Sequence, residues 1–372
     1  MPSPALPRPA THRPTRARPA FHVLARAAQA AAAAAAGTLL FSGAAQAQSS
    51  VTVYGLLDVS AGQFQVAGGP KIKRLDSGNF STSYLGFRGT EDLGGGLRAN
   101  FTLDSFLLLD AGTAGRVNNV DGFWGRNANV GLSGPFGNLR LGRMGPPLFV
   151  STLMFNAFGD SFGYSPSIRQ YYNAPYGTPL VGDSGWNNGI GYTTPRFGGL
   201  TANLLVTAGE GAATSRGPNW GGNLVYNSGP IGFTVALQKV ESQGTLGRPI
   251  AAFPGFRSQN AYQVGGSYNA GFARFFLQYG SISTKANTGV KVKNLHLSAS
   301  VPVGPSGAFL AAYGNSTITT AGAALKPESD MLTLGYTHKL SKRTELYGIY
   351  LSDKYTGRST GTTLATGMRH TF

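Results

Sequence analysis

The sequence predicts an all-β chain, a transmembrane antiparallel β-barrel of about 16 strands with one long loop folded into the lumen. Three observations predict it. Apolar and polar residues alternate through most of the chain in runs of about ten, as in strands that face lipid on one side and water on the other. Charged residues are only 12 % while glycine stands at 54, and beyond the N-terminal region no apolar run is long enough for a helical span. One stretch, residues 146–187, abandons the alternation altogether.

Composition narrows the function classes. The chain of 372 residues carries a net charge of +16 and no cysteine, so disulfides and thiolate metal sites are absent. A basic chain raises the question of nucleic acid. Here the positive charges are scattered singly through strands, without a basic run or helix, and no nucleic-acid partner is expected. No cofactor and no metal are expected either.

Residues 1–26 carry Arg8, Arg13, Arg16, Arg18 and Arg26 and no acid. An alanine-rich apolar region follows, then Gly37-Thr38-Leu39-Leu40-Phe41 and Ala45-Gln46-Ala47. That is the basic, apolar and A-x-A succession of a secretory signal peptide, residues 1–47. Its removal takes away five arginines, lowers the net charge from +16 to +11 and starts the mature chain at Gln48, outside the cytoplasm. Residues 48–372 then form a single barrel domain.

Val51-Thr52-Val53-Tyr54-Gly55-Leu56-Leu57-Asp58-Val59 opens it, with valines and Leu57 on one face and Thr52, Tyr54 and Asp58 on the other. A hairpin follows. Leu85 and Phe87 oppose Arg88; beyond the turn Glu91-Asp92-Leu93-Gly94-Gly95-Gly96, residues Leu97, Ala99, Phe101 and Leu103 oppose Arg98, Asn100, Thr102 and Asp104. The strands near 124–133 and 137–144 are less regular, and a bulge there decides whether Arg140 or Arg143 points inward. The stretch 146–187 comes next. It is rich in Tyr, Phe, Pro, Gly and Asn, shows neither strand nor helix period, and has only Asp160, Arg169 and Asp183 as charges. Structureless segments of this length are usually functional.

Alternation resumes after it. Strands are expected near 188–197, 200–208, 221–228, 231–240, 260–269, 272–282, 292–302, 307–315, 330–340, 343–353 and 363–372, in addition to 51–65, 80–91, 96–110, 124–133 and 137–144. Short links such as 227–230, 302–307 and 341–343 alternate with longer ones near 209–220, 241–259, 283–291 and 316–329. Short turns at one rim and long loops at the other belong to a membrane barrel. In Asn294-Leu295-His296-Leu297-Ser298-Ala299-Ser300-Val301 every odd position is apolar and every even one polar. A soluble sandwich would show the same period. The last strand, Leu364 to Phe372, ends the chain on an aromatic where soluble proteins commonly fray into polar residues.

At these residues the chain resembles the general, non-specific porins of Gram-negative bacteria, in their β-proteobacterial form. The resemblance is carried by Ser49-Ser50-Val51-Thr52-Val53-Tyr54-Gly55, by the hairpin from Leu85-Gly86-Phe87-Arg88-Gly89-Thr90 through Glu91-Asp92-Leu93-Gly94-Gly95-Gly96-Leu97, and by Gly125-Arg126-Asn127-Ala128-Asn129-Val130-Gly131-Leu132. Leu141-Gly142-Arg143, Phe158-Gly159-Asp160, Asn188-Gly189-Ile190-Gly191-Tyr192 and the terminal Arg369-His370-Thr371-Phe372 extend it over the mature chain. It implies a homotrimer of 16-stranded barrels in the outer membrane, each with its own pore, an inward-bent third loop facing an arginine ladder, and a terminal Phe372 read as an assembly signal. Its partners would be outer-membrane lipid and lipopolysaccharide, with small hydrophilic solutes and anions passing through. Tyr84 and Gly185-Trp186 stand where many members carry an arginine before a strand, so two wall cations are missing from the family pattern.

A channel needs a water-filled lumen and a charge pattern at a constriction. The cations expected there are Arg88, Arg126 and Arg143, with Arg98 and Arg140 in reserve; the acids are Asp160 on the loop and Asp58 and Asp104 on strands. Catalysis is not expected. The mature histidines are His296, His338 and His370; His296 shares a face with Ser298, but same-face strand neighbours are about 7 Å apart, too far for direct activation. The alternative class is an adhesin or secreted β-domain without channel activity.

Overall fold

The computed structural model describes residues 50–116, 121–173, 179–207, 218–241 and 253–372, so the expected signal peptide lies outside the described residues. In chain order the elements are β1 (Ser50–Phe64), β2 (Ile72–Ser77), β3 (Tyr84–Gly94), β4 (Leu97–Leu108), β5 (Thr113–Ala114), β6 (Asn127–Gly134), β7 (Gly137–Met144), α1 (Pro147–Met154), α2 (Pro166–Tyr172), β8 (Trp186–Thr193) and β9 (Leu200–Thr207). Then come β10 (Asn219–Ser228), β11 (Ile231–Val240), β12 (Ser258–Asn269), β13 (Arg274–Lys285), β14 (Val290–Val303), β15 (Gly307–Thr320), β16 (Glu328–Lys339), β17 (Thr344–Tyr355) and β18 (Gly361–Thr371).

The described strands pair antiparallel, and β18 returns to β1, from Leu56 opposite Thr371 to Gln63 opposite Leu364, which closes the sheet. Closure removes the unpaired edges that an open sheet would present to lipid. The barrel has 16 strand positions. Strand β5 is a two-residue flap on β4, and β2 and β3 share one edge of β1, with Val59–Phe64 against β2 and Ser50–Leu56 against β3.

That shared edge corrects the expected strand 80–91. The strand position is occupied by 72–77 and 84–94, and residues 78–83 leave it between them. Phe80, Ser81 and Ser83 are buried there, folded onto the polar face. The sequence Ser77-Gly78-Asn79-Phe80-Ser81-Thr82-Ser83 has the hydroxyls and amide that hold a non-ladder backbone.

The two faces are the reverse of a soluble protein's. Leu295, Leu297, Leu332 and Leu334 are exposed, while Asn294, His296, Thr333 and Thr337 on the same strands are buried. Burial of the polar side has a specific cause: the stretch after β7 lies on it. All three apolar clusters among the described residues form where that stretch meets the wall. Leu148, Ile168, Tyr171 and Leu180 pack on Ala236, Ala261, Ile282 and Val292. Phe158 and Tyr164 pack with Phe80, Tyr347 and Ile349. Met144, Val181 and Trp186 pack with Leu205 and Val240. The wall gives way at glycines: a Cβ at Gly314 would stand 2.7 Å from Pro166, and one at Gly280 only 1.9 Å from the Tyr171 hydroxyl.

The stretch expected to be without helix contains two short ones. Pro147 opens α1 and Pro166 opens α2, each in the first helical turn where a missing N–H costs nothing. Ser165 caps α2 by accepting from the Ile168 N–H. Its return strand β8 begins at Trp186, two residues before the expected start.

Candidate functional site

Irregular backbone inside a barrel needs a hydrogen-bond partner for each polar group. The polar face supplies them. Gln278 donates to the carbonyls of Thr152 (3.1 Å) and Phe155 (2.6 Å), and Thr333 donates to the Tyr164 carbonyl (2.7 Å); in the other direction Gln170 of α2 donates to the Gly314 carbonyl of β15 (3.1 Å). Tyr164 in turn donates to Ser60 Oγ at 3.1 Å. Asn223 donates to the Pro147 carbonyl at 2.9 Å. The alternating polar residues of β1, β10, β13 and β16 are thus the cradle of the inserted stretch.

Asp58 belongs to this cradle and not to a water-facing row. It is fully buried. Its Oδ2 accepts from the N–H of Phe80 (2.7 Å) and of Ser81 (3.0 Å), and its Oδ1 accepts from the Tyr347 hydroxyl (2.6 Å). The carboxylate therefore pins segment 78–83 to the wall. Parity put Asp58 on the inner side; the inward excursion of its neighbours is what covers it.

From the pinned segment a chain of contacts reaches the inserted stretch. Arg369 pairs with Glu345, lies 4.8 Å over the Phe80 ring and donates to Ser81 Oγ at 2.8 Å. Ser81 Oγ donates to Asp160 Oδ1, also at 2.8 Å. Asp160 has no cation within ion-pair distance among the described residues. Arg369 belongs to the terminal motif of the sequence, and its inward parity on β18, opposite Asp58, is the signal that it faces the site.

Across from Asp160 stands Arg126. Its guanidinium lies 3.9 Å over the Tyr84 ring and donates to Asp104 Oδ2 at 3.0 Å. Asp104, itself buried, also accepts from Asn127 (2.7 Å) and from the Tyr54 hydroxyl. Tyr84, where a family arginine is missing, serves as the shelf for Arg126. A cavity of about 80 Å³ lies between the two sides, lined by Thr82, Arg126 and Asn127 of the wall and by Phe149, Asp160 and Phe162 of the inserted stretch. Arg126 and Asp160 thus meet at one narrow place.

The remaining expected cations separate into two groups. Arg143 sits at the bulge between Gly142 and Met144, and Met144, not Arg143, packs into the inner cluster. Arg143 donates to the Gly125 carbonyl (2.7 Å), the Gly185 carbonyl (3.2 Å) and Asn187 Oδ1 (2.6 Å), joining the entry and exit of the inserted stretch. Arg88, Arg98 and Arg140 lie on β3, β4 and β7, with Arg88 stacked 4.7 Å over Tyr54, and form no ion pair among the described residues. Arg98 faces Ser133 and Arg140 faces Gly131 across β6, so the three occupy one side of the barrel.

The charges of the inserted stretch other than Asp160 are taken up. Arg169 pairs with Asp353 at 3.5 Å. Asp183 pairs at 2.6 Å with Arg116, which also pairs with Asp121 (2.9 Å) and donates to Ser184 Oγ (2.9 Å). Burial opposes the Arg116 charge, but the Asp183 and Asp121 carboxylates outweigh it and hold its pKa above the ordinary arginine value. Arg116 lies in a loop with no strand period, so no local signal pointed to it. The second departure from the family pattern, Trp186, is fully buried in the cluster around Met144 and anchors the exit.

One expectation about chemistry needs correction. His296 Nε2 and Ser298 Oγ are 3.2 Å apart, because both side chains lean together from Cα positions that a strand keeps further apart. The pair is buried, and His296 Nδ1 has no partner among the described residues. It thus lacks the orienting group that a nucleophile and base require.

At the end of the barrel Phe372 exchanges backbone hydrogen bonds with Gly55, N–H to carbonyl at 3.2 Å and the reverse at 3.3 Å. A Cβ on Gly55 would come within 2.5 Å of the Phe372 ring. The terminal aromatic therefore has its own seat on the first strand.

A family model described as Gram-negative porin matches residues 30–358. Outer membrane porin protein 32 of Delftia acidovorans is 35 % identical over 318 residues, covering 83 % of this chain and 85 % of that protein. An outer membrane porin of Bordetella pertussis is 26 % identical over 390 residues, covering 89 % of this chain and 97 % of that one. Among solved structures, an anion-selective porin from Comamonas acidovorans superposes with a TM-score of 0.73 at 29 % identity, covering 87 % of this chain and 100 % of that chain. The adhesin and secreted-domain alternative has no counterpart among these matches. A sheet closed on itself with leucines outward, and sequence likeness over most of its length, leave one conclusion: the chain belongs to the Gram-negative porin family and crosses the outer membrane as a multi-pass β-barrel.

Proposed function

We propose that this porin is a water-filled diffusion channel for small hydrophilic solutes and ions, narrowed by residues 146–187 and preferring anions. One observation carries the preference: the inner cations Arg88, Arg98 and Arg140 are unpaired among the described residues, while the acids nearby are spent on other partners. Asp58 is buried against backbone N–H groups, Asp104 is paired with Arg126, Glu345 with Arg369 and Asp183 with Arg116. Asp160 remains, and so does Asp92, which lies opposite Arg98 and accepts from the Gly94 N–H. Within a Debye length of about 8 Å at physiological salt, the excess cations raise the local anion concentration. The anion-selective Comamonas porin supports the same reading.

The selecting constriction is the Arg126–Asp160 passage, with Arg88, Arg140 and Arg98 continuing the cationic side. Residues 1–47 are the signal peptide. The assembled form is a homotrimer in contact with outer-membrane lipid and lipopolysaccharide, and Phe372 marks the chain for assembly. No covalent chemistry is required of it. The test is reversal potential in planar bilayers under a salt gradient, wild type against Arg126→Glu. The substitution places a second carboxylate beside Asp104, so anion preference falls or inverts. A cation-selective wild type, or an unchanged variant, overturns the assignment.

A further inference from the structure

Helix α1 presents its polar side to the barrel wall and its apolar side to the lumen. Leu148, Ser151 and Thr152 share one face and are buried against the wall. There Asn223 donates to Ser151 Oγ at 2.8 Å, and the Ser151 and Thr234 hydroxyls stand 2.9 Å apart. The opposite face carries Phe149, Val150, Leu153 and Met154, which their spacing sets in one stripe. Phe149 and Leu153 are half-buried, and Val150 and Met154 are exposed. The polar wall accounts for the hydroxyls. It does not account for four apolar side chains turned from the wall toward water, where polar ones would avoid the hydration cost.

Aromatic rings continue the stripe. The Phe149 ring lies 6.0 Å from that of Phe162 and 5.0 Å from that of Tyr172, edge to face with the latter. Phe149, Leu153 and Phe162 line the narrow cavity that also holds Arg126 and Asp160. Phe162 and Tyr172 line a second cavity of about 260 Å³, together with Arg74, Asn79 and Asn173. Phe162 and Thr82 belong to both cavities, so aromatic surface runs from the wider one into the narrower. Arg126 gives one N–H to Asp104 and keeps others for a further acceptor. Asp160 accepts from Ser81 on Oδ1, and its Oδ2 has no partner among the described residues. A cation, an anion and an apolar strip therefore line one small space, the make-up of a ligand site.

We propose that the constriction holds a binding subsite for a zwitterionic α-amino acid with an aromatic or branched apolar side chain. Arg126 receives its carboxylate, Asp160 its ammonium, and Phe149, Leu153 and Phe162 its side chain. A lone carboxylate meets repulsion from Asp160, and a solute without apolar surface leaves the stripe wet. The inference rests on the Arg126–Asp160 passage being the constriction of the channel.

The test measures, in planar bilayers with potassium chloride, the solute concentration that halves the single-channel current. For wild type, L-phenylalanine does so at a concentration about tenfold below glycine, the discrimination that a small apolar group gains in an apolar site. It also acts below phenylpropionate, which has the ring and the carboxylate but no ammonium. Phe149→Ser and Phe162→Ser each weaken the phenylalanine block several-fold and leave that of glycine unchanged, while Phe149→Leu keeps most of it. In Asp160→Asn, which removes a charge and no packing, the order reverses and phenylpropionate becomes the stronger blocker. Equal block by phenylalanine and glycine in wild type, a stronger block by phenylpropionate there, or an unchanged order in Asp160→Asn overturns the proposal. The reversal potential of Arg126→Glu, read without any amino acid, separates the two readings. If it shifts and phenylalanine still blocks no better than glycine, the subsite alone fails; if it does not shift, the passage is misplaced and the subsite falls with it.

Discussion

Replacing Asp58 by alanine is a direct test of what holds the inner surface in place. The carboxylate accepts from two buried backbone donors, Phe80 and Ser81, and from the Tyr347 hydroxyl. Each buried donor left without an acceptor costs about 1–3 kcal/mol, so holding the segment unchanged in the variant costs about 3–9 kcal/mol. Ordering the six residues 78–83 costs about 6–12 kcal/mol in backbone entropy. The two quantities are comparable, and removal of the carboxylate tips segment 78–83 out of its position. Ser81 then leaves both Arg369 and Asp160, and Asp160 loses the hydroxyl that aims it. The barrel itself persists, because the β1–β18 ladder does not pass through this side chain. Single-channel recording of Asp58→Ala is expected to show noisier current and a raised mean conductance. Asp58→Asn keeps an acceptor for the two N–H groups and turns an amide toward the Tyr347 oxygen, at a cost of about 1–2 kcal/mol, and stays near wild type. An alanine variant with wild-type conductance and noise, or an asparagine variant equally disturbed, would refute the reasoning.

Three further outcomes are expected. Deleting Phe372, or placing valine at Gly55 beneath its ring, sharply lowers the yield of heat-modifiable trimer in the outer membrane, and normal trimer levels would contradict the seat described at β1. N-terminal sequencing of outer-membrane material begins at Gln48, after Ala45-Gln46-Ala47; a start upstream of residue 40 would count against the signal peptide. Arg116→Ala removes the cation that pairs with both Asp183 and Asp121, and breaking such a partly buried pair costs about 3–5 kcal/mol, read as a lowered trimer dissociation temperature together with reduced anion preference; Arg116→Lys restores part of both.

The alternation of apolar and polar residues determined the strands and their two faces by itself; a sandwich would share that period, and the pairing of β18 with β1 decided for the barrel. A period of two needs only the chain's own geometry, so the strand faces, the 16 positions and the stretch that interrupts them were all legible in the sequence. Parity also placed Arg88, Arg98, Asp58 and Asp104 on the inner side, while Asp160 came from the stretch without period. It did not say which of them would meet water. That depended on where two segments without period came to rest. Residues 78–83 folded over Asp58, and the stretch carrying α1 and α2 covered half the polar face, turning Asn294, His296 and Thr333 into buried groups. The bulge at Gly142–Met144 decided between Arg140 and Arg143 by shifting the register one residue. Ion pairing was equally hidden, since Arg116 and Asp183 lie 67 residues apart and meet only because both loops return to one rim. Local pattern fixes which side of a strand a residue takes; whether a charge there is free or spent is set by long-range contacts that only the closed barrel brings together.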